Sequence, residues 1–289
     1  MVIGIRRSAG LLALIAALAA AARAQPSLSV ASKSRAIAPG ELLVLTITTA
    51  SPASSVHVTG LGREFPAFRE GPATWRALVG LDLDVPAGPA VLTIASGATP
   101  AERTTYKFVV AAKTFPARRL SVDPAFVNPP AEVQPRIKAD TERINTAYRS
   151  SSAERLWSGE FVRPVAEAAN SAFGTRSVFN GESRNPHSGA DFASPAGTPV
   201  HAPNAGRVLI AADLYFTGNT VLIDHGLGLF SMFAHLQSID VREGDTVATG
   251  RVLGRVGATG RVTGPHLHWS VRVNGARVDP MSLLATLGK

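Results

Sequence analysis

Six of the seven histidines lie between positions 187 and 268, and two short patterns among them could hold a metal ion. His266-Leu267-His268 is an H-x-H pair. On a β-strand, side chains two apart leave the same face, so these imidazoles can aim at one small volume. His187-Ser188-Gly189-Ala190-Asp191 adds an imidazole and a carboxylate at i and i+4. Together the patterns can complete a set of two His and one Asp around a tetrahedral ion, with the fourth position left for water. That is the arrangement of a catalytic zinc and not of a structural one. A further His235 stands in Phe233-Ala234-His235-Leu236. Imidazole, with an ordinary pKa of about 6.5, is suited to moving protons at neutral pH.

What is missing narrows the chemistry. The chain has no cysteine, so disulfides, thiolate ligands and cysteine nucleophiles are excluded, and a metal must be held by His, Asp or Glu. No H-E-x-x-H occurs, and the one Glu after Glu182 is Glu243, in the turn Arg242-Glu243-Gly244-Asp245. A helical glutamate base is therefore not available, and the base must be sought among the histidines. A G-x-S-x-G serine elbow is absent as well. Ser188 and Ser194 read as loop hydrogen-bonding residues, and His201 and His225 as strand-end packing residues.

Positioning these side chains falls to a β-rich second half. Strand-like runs at 208–211, 220–224, 231–234, 251–256 and 266–273 follow Phe161, and a helical period returns at 281–287. Ahead of them, short β runs at 42–48, 56–59, 74–81, 91–95 and 104–111 alternate with turns such as Pro39-Gly40, which predicts a small β-sandwich. Pro124, Pro129 and Pro130 mark a linker, after which Ile137, Ile144 and Tyr148 recur at helical spacing. The expected fold is mainly β. A β-sandwich module covers 25–115, a Pro-rich and helical linker 116–160, and an antiparallel β-sheet domain 161–289.

With 45% hydrophobic and 17% charged residues, the chain has apolar material for packed cores. Arg6 and Arg7 precede an apolar run over 11–22 that ends in Ala22-Arg23-Ala24, a small-x-small pattern, so residues 1–24 read as a secretory signal peptide. The run is shorter than the roughly 20 residues that span a bilayer, and no membrane span is expected in the mature chain. The net charge of +8 loses three arginines with that segment and becomes +5. Such a charge suits an anionic cell envelope. No nucleic-acid partner is expected, because no aromatic and basic repeat accompanies the charge.

The ordered series His187-x-x-x-Asp191, Gly197-Thr198-Pro199-Val200, Ile223-Asp224-His225-Gly226, Ala234-His235-Leu236, Gly257-Ala258-Thr259-Gly260 and Gly264-Pro265-His266-Leu267-His268 resembles the lysostaphin-like (LytM-type) zinc metallopeptidases that cut bacterial peptidoglycan. The resemblance covers about residues 155–282. The segment before it is similar in layout to the Ig-like module and linker helix of some exported members. The resemblance implies that His187, Asp191 and His268 bind one Zn2+, and that His235 and His266 stand beside the water and the scissile carbonyl. One would act as base and the other as donor, and which does which stays open. It also implies peptidoglycan stem peptides as substrate and a periplasmic or cell-envelope location.

Polar, turn-rich loops before the first ligand place Arg176, Asn180 and Arg184 near an acidic peptide. One departure stands out: many relatives have Tyr-Ala-His-Leu where this chain has Phe233-Ala234-His235-Leu236. Strand alternation puts position 233 on the face of His235, so a hydroxyl would be lost near the site. A catalytically weak or latent wall-binding regulator of other hydrolases is the alternative reading. The five intact positions argue against it.

Overall fold

The computed structural model describes residues 28–50, 52–97, 102–120, 128–171, 173–183 and 185–288. The expected signal peptide and Arg184 lie outside the described residues. The chain is mainly β, as expected. Its first sheet has seven antiparallel strands: β1 (Leu28–Lys33), β2 (Leu42–Thr49), β3 (Val56–Gly60), β4 (Arg63–Arg69), β5 (Thr74–Gly80), β6 (Gly88–Ser96) and β7 (Arg103–Val110), in the order β1-β2-β5-β4-β3-β6-β7. β4 is shared, since Arg63 to Pro66 pair with β3 and Ala67 to Arg69 with β5. This change of partner folds the two halves of the sheet over one core containing Leu43, Leu45, Ile47, Val58, Phe65 and Val79.

Neither β1 nor β4 is among the runs expected from sequence. β4 hides behind Pro66, which cannot donate to a ladder and sits where the strand changes partner.

β2 opens with a continuous apolar run, Leu42 to Leu45, because both of its faces are covered there. Leu43, Leu45 and Ile47 fill the module's own core, while Leu42 and Val44, with Leu78 of β5, join the core of the following domain. Burying each such aliphatic side chain contributes about 1.5–3 kcal/mol. The module is thus held against its neighbour by a shared core and not by a tether alone.

The middle of the chain holds β8 (Ala117–Leu120) and helix α1 (Gln134–Arg149). α1 has Pro135 in its first turn, where a missing N–H costs nothing. Ile144, Ala147 and Tyr148, spaced i, i+3 and i+4, lay its apolar stripe over Leu222, Phe230 and Met232.

The second half contributes β9 (Ala169–Ser171), β10 (Arg176–Phe179), β11 (Glu182–Ser183), β12 (Gly189–Phe192), β13 (Pro199–His201), β14 (Gly206–Leu214), β15 (Gly218–Gly226), β16 (Leu229–Ile239), β17 (Thr246–Val247), β18 (Val252–Val256), β19 (Leu267–Val273) and β20 (Ala276–Val278), then helix α2 (Pro280–Leu287). The main path runs β17-β14-β15-β16-β19-β12-β9, with β18 bridging β13 and β16 and β20 hairpinned to β19. Asp279 caps α2 by accepting a hydrogen bond from the Met281 N–H at 2.9 Å.

β8 lies in the segment read as linker. It pairs in parallel with β10, so β8, β10 and β11 form a small sheet just before His187. Among the described residues no helix is long and apolar enough to cross a membrane.

Candidate metal centre

β19 runs between β16 and β12, and its register brings the site together. Asp191 stands opposite His268 on one side, and Ala234 stands opposite His268 on the other. His187 enters just before β12, anchored by its N–H to the Thr175 carbonyl (2.9 Å) and by its carbonyl to the Gly174 N–H (2.7 Å). A Cβ on Gly189 would lie 2.7 Å from the His268 ring and 2.5 Å from the Trp269 carbonyl, so a glycine is needed there for the His268 imidazole to lie over β12.

Three donor atoms converge. His187 Nε2 lies 3.0 Å from Asp191 Oδ1 and 3.1 Å from His268 Nδ1, and His268 Nδ1 lies 2.8 Å from the same Asp191 oxygen. Ligands about 2.0–2.1 Å from a tetrahedral zinc would be about 3.3 Å apart, so opening by a few tenths of an ångström would admit the ion. Two neutral imidazoles and one carboxylate are also the hard-to-borderline donors that zinc accepts. The residues fit the metal. Burial alone would raise the Asp191 carboxyl, but the hydrogen bonds it shares with His187 and His268 hold it well below the usual carboxylate range. Burial likewise pushes His268 down, favouring the neutral ligand form.

Two further imidazoles border this set. The His235 ring lies 5.1 Å from His266 and 6.0 Å from His268, and His266 Nε2 is 3.9 Å from Asp191 Oδ1. The Thr259 carbonyl accepts from His235 Nδ1 and the Gly264 carbonyl from His266 Nδ1, both at 2.9 Å. Each ring therefore carries its proton on Nδ1, which leaves Nε2 as the nitrogen with a lone pair. His235 is pushed down to about 3, first by burial and then by the neighbouring His268.

His225 shows the contrast. It too is buried and pushed down to about 4, but the Ala205 carbonyl and the Ser231 hydroxyl occupy both its ring nitrogens at 2.7 and 3.0 Å. It is a packing residue. Ser194, bonded to Glu167 at 2.7 Å, is likewise a loop residue.

A model of peptidase family M23 matches residues 185–280, the stretch that carries all five side chains. A crystal structure from Pseudomonas aeruginosa assigned to peptidase M23 is 36% identical, covering 86% of this chain and 95% of that one, with a TM-score of 0.68. The chain belongs to peptidase family M23. The chain is also 44% identical over 96 residues to the peptidoglycan DD-endopeptidase ShyA of Vibrio cholerae, and 44% identical over 97 residues to the DD-carboxypeptidase/endopeptidase Mpg of Neisseria meningitidis. Those matches take in 33% and 34% of this chain, and the chain spans about 22% of the length of each relative.

Within the M23 fold the alternation argument for Phe233 fails. His235 has φ +63°, a left-handed backbone that is uncommon outside glycine, and the ladder to β15 shifts register there. Phe233 pairs with Trp269 and stacks on it in the core, on the opposite face from His268, whereas His235 is turned out of alternation to join the site. The residue at 233 packs beneath the site and does not border it.

Arg176 and Asn180 are exposed on the β10–β11 hairpin that leads into His187. What side-chain reasoning missed are the carbonyls of Thr217, Thr259 and Gly264. Glycines at 218, 257, 260 and 264 were their one trace in the sequence.

Proposed function

We propose that this protein is an exported zinc metalloendopeptidase that hydrolyses peptide crosslinks of bacterial peptidoglycan. The observation that carries the reading is the convergence of His187 Nε2, Asp191 Oδ1 and His268 Nδ1 within 3.1 Å of one another, beside two imidazoles whose Nδ1–H groups are held by backbone carbonyls.

His187, Asp191 and His268 would hold the ion. Zinc, when bound, supplies a Lewis acid toward a carbonyl and lowers the pKa of water to about 7. His235 and His266 then divide the proton work, one accepting from the attacking water at Nε2 and the other donating to the oxyanion or the leaving amine. Burial keeps His235 neutral, while His266, with 23% of its side chain exposed, is the better placed to exchange a proton with solvent. The left-handed backbone at His235 is a strain of about 1 kcal/mol or more, kept because the Thr217 carbonyl takes its N–H at 2.8 Å and the Thr259 carbonyl takes its ring.

The names of ShyA and Mpg support a DD crosslink as the bond cut. Arg176, Asn180 and Arg184 belong to this reading as one wall for an acidic stem peptide. So do the division at 24, 115 and 160 and export to the periplasm by way of the signal peptide. The five intact positions favour catalysis over a latent regulator.

The test is release of crosslink fragments from isolated sacculi by zinc-loaded protein. Release should stop with chelator and return with zinc. If loaded protein releases none, the reading is wrong.

A further inference from the structure

Residues Tyr215 to Thr217 form the turn between β14 and β15, and this turn touches both anchors of His235. The Thr217 carbonyl accepts the His235 N–H at 2.8 Å, and the Phe216 carbonyl accepts the Arg261 N–H at 2.9 Å. Just past the turn, the Asn219 N–H donates to Thr259 Oγ1 at 2.9 Å, and the Thr259 carbonyl takes the His235 ring proton. Gly218 has φ +60°, and a Cβ there would run into the Thr259 backbone, so the turn and the loop at Thr259 meet backbone to backbone. A shift of this turn is therefore a shift of His235.

Helix α1 fixes the turn from outside. Asp140 Oδ2 accepts the Tyr215 N–H at 2.8 Å, at the first residue of the turn. Arg136, one helical turn earlier, binds Asp213 at 2.7 Å, stands 3.8 Å from Asp140 and lies over the Tyr215 ring at 6.0 Å. The helix is itself seated by Ile144, Ala147 and Tyr148 on Leu222, Phe230 and Met232, and the Asp140 side chain is only 20% exposed. A short carboxylate on a seated helix has few rotamers to choose from, so it offers the turn one position.

A left-handed backbone such as that of His235 persists only where its surroundings over-determine it. The Thr217 carbonyl is one of those surroundings, and it is only as fixed as its turn. We propose that Asp140 is a positioning residue for His235, acting from α1 through the Tyr215–Thr217 turn. The inference rests on the peptidase reading above, in which His235 moves a proton. It makes the segment read from the sequence as a linker a working part of the catalytic apparatus.

The test uses the full-length zinc-loaded protein, a soluble crosslinked peptidoglycan fragment, and the variants Asp140→Ala and Asp140→Asn. In Asp140→Ala kcat should fall by about 10- to 100-fold, the scale of a small misplacement of a catalytic group, with KM and zinc content near those of wild type. Asp140→Asn keeps a side-chain carbonyl that can accept the Tyr215 N–H, and it should recover most of the loss. Amide hydrogen exchange gives a readout that does not depend on turnover. The His235 N–H should exchange about 10-fold faster or more in Asp140→Ala, while the β19 amides keep their wild-type rates.

A lower melting temperature with kcat unchanged in Asp140→Ala would make Asp140 a structural brace only and overturn the proposal. Equal losses in Asp140→Asn and Asp140→Ala would overturn it too, because accepting the N–H would then not be what matters. If Asp140→Ala fails to fold, Asp140→Ser keeps a polar side chain that falls short of the turn. It should slow turnover in the same way, and an unchanged kcat there overturns the proposal. Wild-type protein that leaves the fragment uncut would overturn the peptidase reading itself. Unchanged exchange at His235 in Asp140→Ala would overturn the Asp140 assignment whether or not the fragment is cut.

Discussion

Two clusters of titratable side chains among the described residues are finished in opposite ways. At the junction of the N-terminal module with the M23 region, every carboxylate meets a cation. Arg35 binds Glu41 at 2.7 Å and Asp279 at 2.6 Å, Lys113 reaches Glu41 at 3.1 Å, and Arg277 binds Asp82 and Asp84, each at 2.6 Å. Burial alone would raise Glu41, but Arg35 holds it below its ordinary value.

In the His and Asp cluster, by contrast, no guanidinium or ammonium of the described residues is among the partners of Asp191, and acceptor atoms crowd one point. A closed cluster contributes stability. A cluster left short of positive charge is one that an ion can complete, and so it can do chemistry.

The comparison breaks most sharply at Asp191. Asp191→Ala should remove zinc from the purified protein and lower kcat by about 10³-fold or more, over 4 kcal/mol of transition-state stabilisation. Full metal content in that variant would sink the ligand assignment. His235→Ala sharpens the division within the cluster. Zinc should stay, measured by elemental analysis, while kcat falls by about 10²–10⁴-fold, the range of a lost general acid or base. Loss of the metal instead would move His235 among the ligands.

At the junction, Arg277→Met strands Asp82 and Asp84. It should cost about 1–3 kcal/mol in the melting transition, with zinc content unchanged. A melting curve identical to wild type would show that the charge pairs add nothing to the shared apolar core.

The smallest effect is one of pH. Asp82 is lowered from 3.8 to about 2; burial opposes the shift, and the hydrogen bonds from Arg277 outweigh it. A depressed acid contributes stability that is full above pH 3.8 and lost as pH falls through 2. After solvent screening at this half-exposed pair, the contribution is on the order of 1 kcal/mol. The gap between wild type and Arg277→Met should therefore narrow between pH 4 and pH 2. A constant gap would mean that the pairing is not electrostatic.

The site was legible in part because its signals are local. The H-x-x-x-D and H-x-H patterns each occupy one short segment, and the strand runs around them follow period-two alternation. β14, β15, β16, β18 and β19 all appear near the expected positions. Less legible was whatever depends on distant segments meeting. The approach of Asp191 to His268 rests on a ladder between residues 77 apart. His235 reaches the pocket by a left-handed residue that reverses the face alternation assigns it, and for that reason the reading of Phe233 failed. β8 has no alternation of its own and is a strand only because β10 lies beside it.

By itself the sequence determined which atoms could bind and transfer: imidazoles and one carboxylate, in a chain with no thiol and no H-E-x-x-H glutamate. Those are properties of residue type, present before any folding. Only the tertiary structure decided that three of those atoms lie within 3.1 Å of one another, that backbone carbonyls orient two more rings, and that β2 serves two cores at once. Convergence depends on strand register and close backbone approach, which arise from the packing of the whole chain and from no single segment of it.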